Sequence, residues 1–329
     1  MDFGVNLLTR GITGNAEGLL SMARQAEALG FGHVTTNDHI VVPNRIASRY
    51  PYTPTGEWPG ARAGECLEQV TALGFLAAAT RRIRLVTSVM VVPQRPAVLA
   101  AKALATVDVL SQGRLTVGVG VGWLDEEFRA VAAPPFAQRG AVTDEFLAAF
   151  HELWTSDAPS FAGKYVAFSD IRFEPKPVQK PRPPIWVGGE SPVALRRVAR
   201  LGDGWYPVGN NPQEPLDTPE RYAAKRTVLE AELAKARRDP GTIAQAYLAP
   251  GRCQPTERKG PDGGRSPYTG RAADVAADIA GFTSAGVAHF FLSFPAATLS
   301  EALDDLSWFA QDVRPLIKSW SPTHTEEKR

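Results

Sequence analysis

The sequence predicts an α/β fold, a (β/α)8 TIM barrel with loop insertions at the carboxyl-terminal face of its strands. Short, mostly apolar strand patterns alternate eight times with helical patterns along 329 residues, and eight parallel strands close such a barrel. Each intervening segment is long enough to bring the next strand back parallel. A doubly wound sheet is the competing fold, but G-x-G-x-x-G from Gly118 would need glycine where Trp123 stands.

The first half of the chain supplies four of the eight strands. They are rich in β-branched and apolar residues, which is typical of buried parallel strands, and they cover 3–8, 33–39, 83–92 and 114–120. Helical patterns follow them at 16–30, 65–82, 96–111, 123–132 and 140–154. Gly30 ends the first helix, and Pro96 begins the third, where its missing N–H does no harm.

The second half repeats the alternation after a predicted β-hairpin at 164–175. The remaining strand patterns cover 184–189, 203–209, 242–249 and 287–295. The helices after them cover 191–202, 219–238, 272–286 and 299–318. We therefore expect one domain over 1–320 and a flexible polar tail over 321–329.

Two connections are longer than ordinary loops, at 42–64 and 251–269. Long loops on a compact domain are usually lids or binding loops. Both are expected to close over a ligand.

Composition excludes several classes of function. The net charge of +1 argues against a nucleic-acid binder driven by bulk charge. No apolar run approaches the roughly 18 residues of a membrane helix, and the amino terminus does not resemble a signal peptide, so a cytoplasmic protein is expected. Cys66 and Cys253 match no metal spacing, and the five histidines form no recognised ligand motif. No metal is predicted.

Three glycines, Gly118, Gly120 and Gly122, end the fourth strand with a period of two. Residues two apart share one face of a strand, so this face lacks side chains. The gap either accommodates a flat ligand or relieves crowding inside the barrel. Both interpretations remain open.

Several stretches together resemble one family. They are "TTNDHI", "VTSVMVVPQRPAVLAAKALATVDVLSQGRLTVGVGVGWLDEEF", "PPIWVGGESPVALRRVARLGDGW" and "ASRYPYTPTG". Their order and spacing resemble the bacterial luciferase-like monooxygenase superfamily, and most closely its deazaflavin (coenzyme F420)-dependent oxidoreductase branch. The resemblance extends from Phe3 to Leu316 and implies a luciferase-like TIM barrel.

The resemblance implies roles at two strand ends. Asp38 and His39 match an acid–histidine pair, in which the histidine donates a proton or holds substrate; a histidine suits that work because its pKa lies near 6.5. Ser88 and Val89 match the site where relatives bend the third strand through a cis peptide bond beneath the ring. The alternatives are a histidine bonded to a backbone carbonyl and an ordinary buried strand.

The stretch "WVGGESP" follows the fifth strand and opens a helix, so its N–H groups suit a phosphate. Gly188 and Gly189 allow close approach, and Ser191 offers a hydroxyl. Glu190 is expected to point away from an anion. Simple helix capping by Ser191 is the alternative.

Two further side chains belong to the same region of the resemblance. Trp205 is expected either in the ring pocket or in the core. Arg139 recurs in the family, and an ion pair with Asp144 or Glu145 is the alternative to a role in the site.

The resemblance implies hydride transfer between coenzyme F420 and a small-molecule substrate, at a C=C, C=O or C=N bond or from an alcohol. An FMN-dependent monooxygenase that uses molecular oxygen is the nearest alternative. A non-redox hydrolase or lyase on the same barrel is a third. Relatives are often dimers, and the apolar helices at 66–80 and 96–110 suit a homodimer interface, although packing in the core explains them too.

The two long loops supply the remaining expected contacts. Four aromatic side chains would line the substrate pocket: Tyr50, Tyr52, Trp58 and Tyr268. A basic group, either solvated or facing the acidic tail of the deazaflavin, comprises Arg258, Lys259, Arg265 and Arg271.

Overall fold

Eight parallel strands close into a barrel in the computed structural model, which describes residues 1–61, 65–260 and 262–317. In chain order the strands are β1 (Asp2–Leu7), β2 (His33–Thr36), β3 (Arg84–Thr87), β4 (Met90–Val91), β5 (Leu115–Gly120), β6 (Phe161–Ala162), β7 (Ala167–Phe168), β8 (Ile185–Gly188), β9 (Gly204–Tyr206), β10 (Ala244–Leu248) and β11 (His289–Leu292). Strands β3 and β4 form one interrupted barrel strand, and β6 and β7 form a separate antiparallel hairpin.

Helices alternate with the strands around the barrel. They are α1 (Ala16–Ala28), α2 (Gln69–Ala79), α3 (Ala97–Leu110), α4 (Asp125–Ala130), α5 (Arg139–Thr155), α6 (Pro192–Leu201), α7 (Pro219–Lys235), α8 (Ala272–Ser284) and α9 (Leu299–Trp308). Several begin at a side chain that accepts a backbone N–H, which satisfies a donor that the helix leaves unpaired. These caps are Asn15, Glu68, Ser191, Thr218 and Thr298.

The strand order β3-β2-β1-β11-β10-β9-β8-β5 closes through pairing of β3 with β5. All pairings within the barrel are parallel. The predicted TIM barrel is confirmed. Since parallel strands share direction, their carboxyl ends meet at one face, where such barrels build their active sites.

Alternation along the strands separates two apolar regions. A small cluster fills the barrel interior, consisting of Val86, Trp186, Tyr206, Ala246 and Phe291. A much larger one lies between the strands and the helices. Side chains at alternate positions therefore face either the barrel axis or the helical layer.

Four elements differ from the sequence prediction. The strand at 83–92 is interrupted after Thr87. Helix α2 starts only at Gln69, because Glu68 is its cap. The hairpin lies at 161–168, where the Glu145 carboxylate accepts the N–H groups of residues 164–166.

The last helix is the fourth difference. It ends at Trp308 and continues as one π turn (Phe309–Val313) and one 3₁₀ turn (Arg314–Leu316). Pro315 cannot donate an N–H to a continuing α-helix. The predicted tail at 321–329 lies outside the described residues.

Among the described helices, none has both the length and the hydropathy needed to cross a bilayer.

Candidate active site

A cavity of about 950 Å³ opens at the carboxyl ends of the strands. Its floor comes from strand ends, and its sides come from the segments at 48–58 and 206–213 and from the starts of α5 and α6. The floor includes Asn6, Asn37, Ser88, Gly120, Gly188, Tyr206 and Leu248. The cavity occupies the face on which the sequence places the site.

His39 lines this cavity just beyond β2, and its partner is a glutamate from α4. Nδ1 of His39 lies 3.0 Å from Oε2 of Glu127. Oε1 of the same carboxylate accepts the N–H groups of Ile40 at 2.6 Å and Val41 at 3.1 Å. An ionised carboxylate only accepts hydrogen bonds, so it holds the proton on Nδ1 and leaves Nε2 as the other reactive nitrogen.

The charge on Glu127 is itself stabilised by its surroundings. The side chain is only 1% exposed, and burial works against the charge. Hydrogen bonds from His39, Gln94 and Ile40 outweigh burial and lower the pKa of Glu127. The glutamate therefore stays ionised at neutral pH and orients the imidazole.

Asp38 does not form the expected dyad with its neighbour. Its carboxylate receives two 2.8 Å hydrogen bonds from Arg95 and one from the N–H of Val91. Arg95 also binds Glu68, the cap of α2. Asp38 thus ties β2 to β4 and α2, and Glu127 takes the place that the sequence assigns to Asp38 beside the histidine.

The Ser88–Val89 peptide bond is cis, as the resemblance implies. It separates β3 from β4 and places Val89 at the cavity wall. The hydroxyl of Ser88 lies 3.0 Å from that of Tyr206, and Asn37 donates to the Ser88 carbonyl at 3.0 Å. Tyr206 on β9 therefore holds the hydroxyl of Ser88, and Asn37 just after β2 holds its carbonyl.

The glycines of β5 make room for this bulge. A Cβ on Gly120 would lie 2.6 Å from Cγ2 of Val89, and one on Gly118 would lie 2.0 Å from the Thr87 carbonyl. Gly118 does not line the cavity, whereas Gly120 does. Crowding from the neighbouring strand, rather than a ligand alone, explains the first two glycines.

Gly122 belongs to a different feature from the other two. It lies beyond the end of β5 with φ +83°, a backbone conformation that favours glycine. A Cβ there would meet Val91 at 2.6 Å and the Phe128 ring at 2.7 Å. The three glycines therefore do not clear one continuous face, and the flat-surface interpretation needs this correction.

A recess suited to an anion lies where α5 and α6 begin. Gly188, Gly189 and Ser191 line it, with Gly189 at φ +103°. The Ser191 hydroxyl accepts the Ala194 N–H at 3.3 Å and so caps α6. Both helices present their positive amino-terminal ends to the cavity.

Two arginines line the same recess. Arg139 donates to the Gly122 and Phe136 carbonyls and lies 4.0 Å from the centre of the Phe136 ring. Arg197 pairs with Asp144 and donates to the Gly140 carbonyl. The alternative for Arg139, an ion pair with Asp144 or Glu145, does not form: Asp144 pairs with Arg197, and Arg139 has no ion pair within the described parts of the chain.

Glu190 is almost fully buried beside the recess, at 2% exposure. Its two oxygens accept from the Val208 N–H at 2.8 Å and from the Asn211 amide at 2.9 Å. Burial raises the pKa of this carboxyl despite both hydrogen bonds. The glutamate thereby holds the segment after β9 against the Gly188–Ser191 turn.

An aromatic wall encloses the other end of the cavity. Trp58 lies against His39, with ring centres 4.3 Å apart, and Trp123 contacts Tyr50 edge-on at 5.0 Å. Tyr52 contacts Tyr50 at 5.5 Å, and burial raises its pKa, so its hydroxyl stays protonated. These rings form an apolar surface beside the histidine.

The second long loop is not part of the site. None of its described residues at 251–260 and 262–269 lines the cavity. Tyr268 is 2% exposed and packs 5.8 Å from Phe290 in the core. The expected place of Tyr268 in the pocket is therefore wrong, and closure of the loop over a substrate stays a prediction.

The basic group of that loop is mostly paired with nearby acids. Lys259 pairs with Glu257, Arg265 with Asp278, and Arg271 with Asp274, and Arg258 also lies outside the cavity. These local ion pairs favour the alternative of a solvated charged loop over contact with an acidic cofactor tail.

Trp205 occupies the core position rather than the pocket. It is fully buried, stacks on Tyr222 at 5.0 Å, and donates to the Gly189 carbonyl at 3.0 Å. It supports the Gly188–Ser191 turn from behind.

Sequence reasoning missed Glu127, Trp123, Tyr206 and Arg197 as members of the site. Glu127 is one of three consecutive acids in "DEE", and its burial was the only property that singles it out. The sequence indicates Trp123 only as the residue that breaks a glycine motif.

Comparisons with known proteins agree with this geometry. A family model described as luciferase-like monooxygenase matches residues 1–258. The chain is 36% identical to the uncharacterized protein Rv0953c of Mycobacterium tuberculosis over 208 residues, which are 62% of this chain and 71% of that protein. It is 38% identical to the FMNH2-dependent dimethylsulfone monooxygenase of Pseudomonas putida over 146 residues, which are 44% of this chain and 40% of that protein.

Solved structures share the fold across almost the whole chain. Monooxygenase RslO1 from Streptomyces bottropensis superposes with a TM-score of 0.75 at 24% identity, covering 96% of this chain and 99% of that one. An F420-dependent secondary alcohol dehydrogenase, in complex with an F420–acetone adduct, gives 0.74 at 19% identity, covering 96% and 98%. At these identities the likeness establishes the fold.

Proposed function

The chain belongs to the luciferase-like monooxygenase family, and from that premise we propose that it is an oxidoreductase that transfers a hydride between coenzyme F420 and a small organic substrate. The substrate would offer a C=C, C=O or C=N bond, or an alcohol in the reverse direction. The observation that supports this proposal most strongly is a single cavity that has a cationic recess at one end and the His39–Glu127 pair at the other.

The cavity fits such a cofactor by its donors and its open backbone. Gly188, Gly189 and Ser191 would hold the phosphate together with the starts of α5 and α6. Arg139, which has no carboxylate partner among the described residues, would supply the countercharge. The ring system would lie beside Val89, where Gly120 lacks a side chain. The deazaflavin, when bound, supplies the hydride chemistry.

His39 would move the proton that accompanies the hydride. Glu127 holds the proton of the neutral ring on Nδ1, so Nε2 is the nitrogen that faces a reacting oxygen or nitrogen. A protonated His39 would donate from Nε2 to a carbonyl oxygen or imine nitrogen as it is reduced. In alcohol oxidation Nε2 would accept the hydroxyl proton.

The remaining chain residues would exclude water and position the substrate. The segment at 42–61 is tethered by Glu126, which accepts from the Ala47 N–H at 2.7 Å and the Ser48 hydroxyl at 2.7 Å. Asn210 donates to the Tyr52 carbonyl at 2.9 Å on the opposite side. The aromatic wall is thereby held over the cavity as an apolar cover.

FMN is the second candidate cofactor. It is favoured by the 38% identity to an FMNH2-dependent monooxygenase, and the same recess would hold its phosphate. A non-redox hydrolase or lyase is set aside, because members of the family are oxidoreductases and monooxygenases.

A binding titration separates the two candidates. Apoprotein is titrated with F420 and with FMN, and the fluorescence of each is followed, with Arg139→Gln as the test variant and Arg200→Gln on the exposed outer part of α6 as the control. We expect F420 to bind more tightly and to lose affinity only in Arg139→Gln. Tight FMN binding without F420 binding would reverse the assignment, and no binding of either would refute the site. A panel of enones, imines and alcohols with reduced and oxidised F420 then identifies the reaction.

We also propose a homodimer formed through α2 and α3. These helices expose the large apolar side chains of Phe75, Leu99 and Leu110 at 42%, 61% and 60%, which a homodimer interface would cover. Light scattering coupled to gel filtration should give twice the chain mass of 35.5 kDa, and Leu99→Glu should shift it to the monomer.

A further inference from the structure

A second cluster of metal-ligating side chains lies at the opposite end of the barrel from the cavity. Asp2, His33 and His289 are the first residues of β1, β2 and β11. Asp2 is in register with His289, and His33 with Gly4. The three side chains therefore meet where the amino-terminal ends of these strands converge.

The geometry brings one donor atom from each residue together. Nδ1 of His33 lies 3.1 Å from Oδ2 of Asp2, and the two imidazole rings are 5.1 Å apart, centre to centre. All three donor atoms lie within 4.8 Å of one another. Ligand atoms on a tetrahedral zinc ion with bonds near 2.05 Å are separated by about 3.3 Å, so small side-chain adjustments would suffice.

One of the two histidines has an unused ring nitrogen. His33 is 2% exposed, and its Nδ1 contacts the Asp2 carboxylate at 3.1 Å. The buried Nδ1 of His289 has no hydrogen-bond partner within the described residues. Buried polar atoms without partners are uncommon in proteins, so this nitrogen, close to a second imidazole and a carboxylate, points to a missing ligand.

The surrounding barrel keeps space for this cluster and fixes its rings. A Cβ on Gly32 would lie 2.0 Å from Asp2 Oδ2, and one on Gly4 would lie 3.2 Å from the Cβ of His33. Trp186 packs against His289 at 4.9 Å and against His33 at 5.7 Å. The rings therefore cannot separate without disturbing the interior of the barrel.

We propose that Asp2, His33 and His289 bind one divalent transition-metal ion, represented by Zn²⁺, with water completing the coordination. Two imidazoles and one carboxylate are a donor set that such ions favour. The ion would be structural, since it lies at the end of the barrel associated with stability rather than catalysis. It would join β1 to both of its neighbours, including β11 at the point where the first and last strands meet.

The test is titration of the full chain, without an affinity tag and after treatment with EDTA, with Zn²⁺ in a calorimeter. We expect one equivalent to bind, and saturation at 100 times Kd to raise Tm by about 4 °C. Asp2→Asn and His289→Gln should each weaken binding at least about tenfold. The Asp2 side chain is 24% exposed, whereas His289 lies deeper among aromatic rings, so the Asp2 variant keeps the test informative if His289→Gln fails to fold.

Two control variants distinguish binding at this site from binding at a thiol or at an exposed histidine elsewhere in the chain. His151→Gln changes an exposed histidine on α5, and Cys66→Ser removes the half-exposed thiol; neither should change Zn²⁺ affinity. With Co²⁺ as a probe, the spectrum should lack a thiolate charge-transfer band. Absence of stoichiometric binding would overturn the proposal, as would binding that survives both triad variants or is lost in Cys66→Ser.

Discussion

Replacing Glu127 with glutamine tests how His39 is oriented. The glutamine keeps the shape of the side chain and can still accept from Ile40 and Val41, but its amide group would donate toward His39. We therefore expect the neutral imidazole to move its proton from Nδ1 to Nε2. In the proposed reaction this removes the free acceptor, and general acid–base catalysis by a positioned side chain is worth about 10²–10⁴-fold. We expect kcat to fall by at least about 100-fold.

The stability cost follows from the three contacts of the carboxylate. Hydrogen bonds to a charged group contribute about 1 kcal/mol more than neutral ones, so converting three of them costs about 3 kcal/mol. A chain of this length has an unfolding entropy of about 0.7 kcal/mol/K, and Tm should fall by about 4 °C. Because the folded pKa of Glu127 is lowered from its ordinary value of 4.5, its contribution is complete above that pH. The difference between wild type and variant should shrink as pH falls through the folded pKa.

The assay that needs no substrate is ¹⁵N NMR of histidine-labelled protein, with His39→Gln used to assign the resonance. Glu126→Gln is the matched control, because Glu126 is adjacent on α4 and accepts hydrogen bonds from residues 47 and 48 but not from His39. It should leave the tautomer unchanged. If Glu127→Gln keeps the proton on Nδ1, or if both variants behave alike, the orientation argument fails.

Three other substitutions test neighbouring parts of the site. Asp38→Asn should lower the free energy of unfolding by about 3 kcal/mol, because it weakens a buried ion pair, and it should leave the His39 tautomer unchanged. Denaturant unfolding and the same NMR signal measure these two effects. A shifted tautomer would show that Asp38 is the partner of His39. Gly120→Ala should lower the stability by about 1–3 kcal/mol, because the new methyl group overlaps Val89, and it should weaken cofactor binding. The control is Gly74→Ala on α2, where no atom lies within 4 Å of the new methyl group, and it should stabilise the protein by about 0.5–1 kcal/mol. Equal effects of the two variants on thermal unfolding would contradict the bulge explanation. Arg139→Gln should weaken cofactor affinity and reduce its dependence on salt, so an unchanged salt dependence would show that Arg139 does not bind the phosphate.

The barrel itself was predictable because its determinants are local. Apolar strands of four to eight residues, separated by helical periodicity and capped starts such as Ser191–Pro192, need no knowledge of distant contacts. Element ends were less predictable. Whether α2 starts at 65 or 69 depends on the side chain of Glu68, which both caps the helix and binds Arg95.

The site was predictable only in part, because the side chains that contact one another in it come from distant parts of the sequence. The family resemblance pairs Asp38 with His39, but adjacent residues at the end of a strand point to opposite sides. The actual partner is Glu127, 88 residues later. Likewise, the pairing of Arg197 with Asp144 leaves Arg139 for the cavity, and no local pattern separates these two arginines.

The glycines of β5 show why the same residues admit two explanations. In the register of the barrel, Gly120 is opposite Val91 of β4, so its missing side chain is matched to the shape of the neighbouring strand. Val89 fills that space and at the same time forms the cavity wall. The two explanations for the glycines, avoidance of crowding and room for a ligand, therefore describe one structural feature. The glycines leave room for the bulge, and the bulge shapes the surface on which a ring can lie. A side chain on Gly120 would overlap Val89 at 2.6 Å and displace it into the cavity, whereas one on Gly118 would overlap the Thr87 carbonyl at 2.0 Å and disturb the strand just before the bulge.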